Sequence, residues 1–80
     1  MRRSKMDIIA AILYVARNGA RKTRIVYQCN LNFKIIKKYL GCLLDLGFLH
    51  FESPHYFSTE KAETYLSRYE ALAKTYSPFF

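Results

Sequence analysis

The chain has 80 residues, 51% of them hydrophobic, 24% charged and 16% aromatic, with a formal net charge of +7. One compact domain fits that length and a multidomain enzyme does not, while so aromatic a composition excludes a disordered tail or linker. The basic excess lies early, with Arg2, Arg3, Lys5, Arg17, Arg21, Lys22 and Arg24 opposed only by Asp7 in residues 1–24, which predicts a polyanionic partner, nucleic acid ahead of an anionic membrane.

Ser4 is placed to cap a first helix whose apolar residues Ile8, Ile9, Ile12, Leu13 and Ala16 recur at helical spacing, and Asn18-Gly19 supplies the stop. The opposite side carries Asp7, Ala10, Tyr14, Arg17 and Asn18, so the helix is expected to bury one face and turn Tyr14 outward. Residues 20–22 read as a short extended connector. Thr23 to Cys29 reads as a short helix, ended by Asn30-Leu31-Asn32, where Asn30 tolerates left-handed backbone and Asn32 is a good N-cap.

The next helix, residues 33–46, is apolar over half its circumference through Phe33, Ile35, Ile36, Tyr39, Leu40, Leu43, Leu44 and Leu46, which predicts a central place in the core. Its narrow polar strip is Lys34, Lys38, Gly41 and Asp45 with Lys37 at the rim, and Gly47 ends it. Residues 48–52 and 55–58 form aromatic-rich extended runs joined by Ser53-Pro54, a hairpin signature. Ser58 or Thr59 caps a last helix that begins with Glu60 and Glu63 and stops at Ser77-Pro78. A stripe of Ala62, Tyr65, Leu66, Tyr69, Leu72, Ala73 and Tyr76 along it is read as a dimer seam, with intramolecular core as the alternative.

The expected fold is therefore mainly α (α+β): a winged helix-turn-helix over residues 1–58, an amphipathic dimerisation helix over 59–76, and an aromatic tail at 77–80. Lys34, Lys37 and Lys38, with Asn32 before them, stand where a recognition helix reaches bases or phosphates, and Gly41 would let the backbone approach a duplex closely. Arg21, Lys22 and Arg24 at the start of the second helix suit a phosphate. Arg2, Arg3 and Lys5 read as a basic arm. The hairpin offers His50, Glu52, Ser53, Pro54 and His55, so little contact with DNA is expected from it.

No catalytic constellation emerges, since the chain has neither a Gly-rich phosphate loop nor an acid pair. Cys29, Cys42, His50 and His55 match no zinc-ligand spacing, so neither a metal nor another cofactor is expected, nor a small-molecule substrate. The two cysteines form no CxxC pair and read as buried thiols of a reducing compartment, a Cys29–Cys42 bridge being the alternative. The basic start followed by apolar residues 8–16 does not make a signal peptide, because Asp7 interrupts it and the run is short. No segment approaches the roughly 20 apolar residues of a membrane span, so a cytoplasmic, nucleoid-associated protein is expected.

The blocks Arg3-Ser4-Lys5-Met6-Asp7-Ile8-Ile9, Lys22-Thr23-Arg24-Ile25-Val26-Tyr27, Asn30-Leu31-Asn32, Tyr39-Leu40 and Leu43-Leu44-Asp45-Leu46 resemble the archaeal small basic winged-helix proteins. Those are chromatin-associated DNA binders that dimerise through an antiparallel coiled coil of their last helices. The resemblance covers residues 3 to about 70 and implies double-stranded DNA as partner, a homodimer and no cofactor. The last helix here is shorter than the family's and ends in Ser77-Pro78-Phe79-Phe80. The family includes regulators on archaeal viruses and plasmids. The expected function is that of a small dimeric transcriptional regulator, with a nonspecific chromatin protein or a winged helix used for protein assembly as alternatives.

Overall fold

The computed structural model describes residues 3–76, with side chains through Ala73. The chain runs α1 (Lys5–Val15), α2 (Lys22–Cys29), α3 (Phe33–Asp45), β1 (Leu49–Glu52), β2 (His55–Ser58) and α4 (Glu60–Tyr76), the order the sequence predicts. Local signals account for the ends of these elements. The Ser4 hydroxyl accepts from Asp7 N at 3.2 Å while Ser4 N donates to Asp7 Oδ2 at 3.0 Å, a complete capping box for α1. Asn30, at φ 53° and ψ 52°, closes α2 in the left-handed region, and Asn32 Oδ1 accepts from Ile35 N at 2.7 Å to open α3. α2 begins at Lys22, one residue earlier than expected.

β1 and β2 form a two-stranded antiparallel sheet with Leu49 opposite Ser58 and Glu52 opposite His55. Ala20 bridges to this sheet: its N–H donates to Tyr56 O at 3.0 Å and its carbonyl accepts from Tyr56 N at 2.8 Å. Gly19 makes the approach possible. Its φ is +89°, and a Cβ there would stand 2.6 Å from Phe57 Cε1.

The core gathers one side of each helix. Ile12, Leu13, Ile25, Ile36, Leu43 and Leu66 are its large, fully enclosed side chains, each contributing roughly 1.5–3 kcal/mol of burial. In α3 the buried arc is narrower than expected, because Phe33, Ile35 and Leu46 are exposed while Ile36, Leu40 and Leu43 carry the packing. A helix seated on one side of so small a body cannot enclose half its circumference. Cys29 is buried but Cys42 is exposed, and both thiols are free, so the expectation of two buried cysteines fails at Cys42.

The side of α1 expected to face solvent is covered by α4. Ala10 is buried and Tyr14 half-buried. The Tyr14 hydroxyl donates to Glu70 Oε2, Arg17 donates to both Glu63 oxygens at 2.8 and 3.0 Å, and Tyr69 donates to Asp7 Oδ1 at 2.5 Å. Tyr65 adds a bond to Met6 O at 3.1 Å. The start of α4 is pinned as well. The Thr59 hydroxyl donates to Gly47 O at 2.6 Å, and Lys61 Nζ to Leu46 O at 2.6 Å. Ser58 turns away from the helix to donate to Leu13 O, leaving Thr59 next to Ala62 N, 3.4 Å away.

Candidate nucleic-acid interface

The helix-turn-helix is α2, the turn at residues 30–32, and α3. On α3 the exposed residues Lys34, Lys37, Lys38 and Gly41 share the outer face. A Cβ built on Gly41 meets nothing within 4 Å, so packing inside the chain does not call for glycine there. The Asn32 carbonyl oxygen is committed to the cap, which leaves the two N–H donors at the other end of its amide.

The start of α2 is electrostatically unusual. α1 and α3 have side-chain N-caps, but Arg21, the N-cap of α2, makes no capping bond, and no acidic residue stands in the first turn. Arg21, Lys22 and Arg24 are all exposed around these amides. Positive side chains beside the positive end of a helix are unfavourable until an anion joins them.

Lys5 lies in the first turn of α1, so it is not part of an arm. Arg3 Nη2 donates to Asn30 O at 3.3 Å, tying the chain start to the turn of the helix-turn-helix; nothing in the sequence signals this contact. Arg2 lies outside the described residues. In the hairpin, His50 Nε2 stands 3.7 Å from Glu52 Oε1. Arg17, counted in the basic first third, stays exposed, but its charge is paired with Glu63 of α4 at 2.8 Å. Sequence reasoning also missed that Tyr27, 85% exposed, stands on the outer side of α2, and that Phe33 is exposed at the start of α3.

The stripe on α4 divides. Ala62 and Leu66 are wholly buried in the chain's own core, Tyr65 and Tyr69 are half-buried against α1, and Leu72 and Ala73 are exposed. The side chains of Tyr76, Phe79 and Phe80 lie outside the described residues. At the α1–α4 contact, the bond to Asp7 pushes the Tyr69 hydroxyl up to about 12. Tyr69 and Ser4 together hold Asp7 below the usual carboxylate value. Burial together with the neighbouring Glu70 raises Tyr14.

A helix-turn-helix whose second helix carries an exposed basic strip, backed by a hairpin, defines a winged helix-turn-helix. The chain belongs to that family, whose sequence profile matches residues 2–77. Archaeal proteins are among its relatives. It is 34% identical over 98% of its length to MJ0290, an uncharacterized protein of Methanocaldococcus jannaschii, of which it spans only 37%. It is also 34% identical to MJ0287 of the same organism, covering 86% of this chain and 73% of that one. Among solved structures, Sso10a-2, a DNA-binding protein from Sulfolobus solfataricus, superposes with a TM-score of 0.82 at 27% identity over 95% of this chain and 84% of that one. Among the described residues no helix is long and apolar enough to cross a membrane.

Proposed function

We propose that the chain binds double-stranded DNA, with α3 in the major groove and the start of α2 on a phosphate, as a small dimeric transcriptional regulator. The distribution of cations carries this reading. Lys5, Arg21, Lys22, Arg24, Lys34, Lys37 and Lys38 are all exposed, and among the described residues none of them enters an ion pair. The carboxylates of Asp7, Glu63 and Glu70 are meanwhile bound at the α1–α4 contact. The outer surface of the helix-turn-helix is thus left with an excess of positive charge over the single carboxylate of Asp45 on α3, and a phosphate backbone neutralises that excess with release of its counterions. The role is binding, not catalysis, and calls for no cofactor.

Phosphate contacts position a protein whereas base contacts specify the sequence. Arg21, Lys22 and Arg24 take the first role; Asn32, Lys34 and Lys38 take the second, and Gly41 admits the backbone. The family resemblance and the exposed Leu72 and Ala73 support a subunit contact through the distal half of α4. Such a contact would hold two recognition helices for half-sites roughly 34 Å apart.

The test is titration of labelled duplex at increasing salt. About five phosphates neutralised per subunit give a log-log slope of roughly −4 to −5 per subunit. Lys34→Ala and Lys38→Ala are expected to change the preference between selected and random duplexes, and Arg24→Ala to weaken both equally. Uniform losses from all of these variants would mark a nonspecific chromatin-type binder, and no binding at low salt would overturn the DNA reading altogether.

A further inference from the structure

The groove between α1 and α3 lies beside the recognition strip and shares Lys38 with it. It encloses about 370 Å³ and is lined by the apolar groups of Ile9, Tyr39, Leu46 and Phe48, with Lys5 and Lys38 as its charged members and no carboxylate among its lining. Leu46 is 48% exposed there. An apolar groove rimmed by charge of one sign is a protein-docking feature, and a channel between two helices suits the side chains that an amphipathic helix presents at i, i+4 and i+7.

We infer that this groove receives an amphipathic helix with acidic flanks from a different protein, and that the occupant displaces DNA. Charge complementarity selects that occupant. Lys5 and Lys38 call for carboxylates on both sides of an apolar stripe, and among the described residues the stripes of α1 and α4 in a second copy are spent on its own core, with Ile12, Leu13, Ala62 and Leu66 wholly buried. The outer faces of α2 and α3 are basic, and Asp7, Glu63 and Glu70 of α1 and α4 are held by Tyr69, Arg17 and Tyr14 of their own chain. The displacement rests on the DNA-binding reading, because Lys38 belongs both to the groove and to the outer strip of α3. A bound acidic helix neutralises Lys38 and lays negative charge beside the path of the duplex.

Two fluorescein-labelled synthetic peptides provide the test, sharing a Leu stripe at helical spacing and flanked by Glu in one and Lys in the other. Anisotropy is read with the full chain, first alone and then with bound duplex. Saturable binding of the Glu peptide only, displacement of the duplex, and an affinity loss of about tenfold or more in Leu46→Asn are expected, with duplex affinity of that variant unchanged. Leu46 leaves the core nearly intact when replaced, since it is half exposed. Equal binding of both peptides, or binding of neither, overturns the groove assignment whatever the protein does with DNA. Peptide and duplex bound together overturn the exclusion. A wild-type dimer that Leu46→Asn converts to monomers would make the occupant a second copy and overturn the inference as well.

Discussion

Gly41→Ala separates what the fold requires from what a bound duplex requires. Gly41 lies inside α3, and a Cβ there meets no atom within 4 Å. The methyl group therefore costs nothing in packing, while alanine in place of glycine in a helix interior stabilises by about 0.8–1 kcal/mol. For a domain of this size that gain raises Tm by roughly 4–8 °C per kcal/mol. With the helix laid in the major groove and its backbone close to the duplex at this position, the same methyl is an overpacked contact. Overpacking costs about 1–3 kcal/mol, which corresponds to roughly fivefold to more than a hundredfold weaker binding. Thermal melts followed by circular dichroism and duplex titrations at one salt concentration measure the two effects, and the expected signature is opposite signs. A variant that melts higher and binds as well as the parent would refute the approach of the duplex at Gly41. One that melts no higher would refute the open space around it.

Leu66→Ala is expected to cost about 2–5 kcal/mol in chemical denaturation, independently of protein concentration, because Leu66 is wholly buried within its own chain; a loss that fades at high concentration would return it to a subunit seam. Gly19→Ala meets both the positive φ of 89° and Phe57 Cε1 at 2.6 Å. It is expected to destabilise by about 1–3 kcal/mol, and unchanged urea unfolding would contradict that geometry. The Tyr69–Asp7 bond predicts two flanks in Tm against pH. Tyr69 is raised from 10.0 to about 12, so its contribution is complete below pH 10 and disappears as pH climbs towards 12. Asp7 is lowered from 3.8, so its contribution is present above that pH and disappears as pH falls through the lower folded value. Tyr69→Phe is expected to flatten the alkaline flank and shrink the acid one, and an unaltered profile would show that the bond does not form in solution.

The boundaries of the elements were legible in the sequence because they depend on residues within one helical turn of each other. Ser4 with Asp7, Asn30 and Asn32 around the turn, and Gly47 after α3 act through their own backbone and near neighbours, so order, turn and hairpin could be read without knowing what packs on what. The exposed cations of α2 and α3 were legible for a related reason: a lysine or arginine without a nearby partner stays in water. Partnership across the chain was not legible. Arg17 looked like one more cation of the basic first third, and Tyr14 like an outward ring, until α4 returned more than forty residues later in sequence and brought Glu63 and Glu70 against them. The tyrosine stripe of α4 has the same cause. Helical spacing shows that Tyr65, Leu66, Tyr69 and Leu72 share a side, but whether that side meets α1 or another subunit depends on where the hairpin delivers the helix. Tertiary packing decided it residue by residue, burying Ala62 and Leu66, binding the hydroxyls of Tyr65 and Tyr69 to α1, and leaving Leu72 in solvent. Periodicity records which residues face the same way; only the arrival of a distant surface determines what they face.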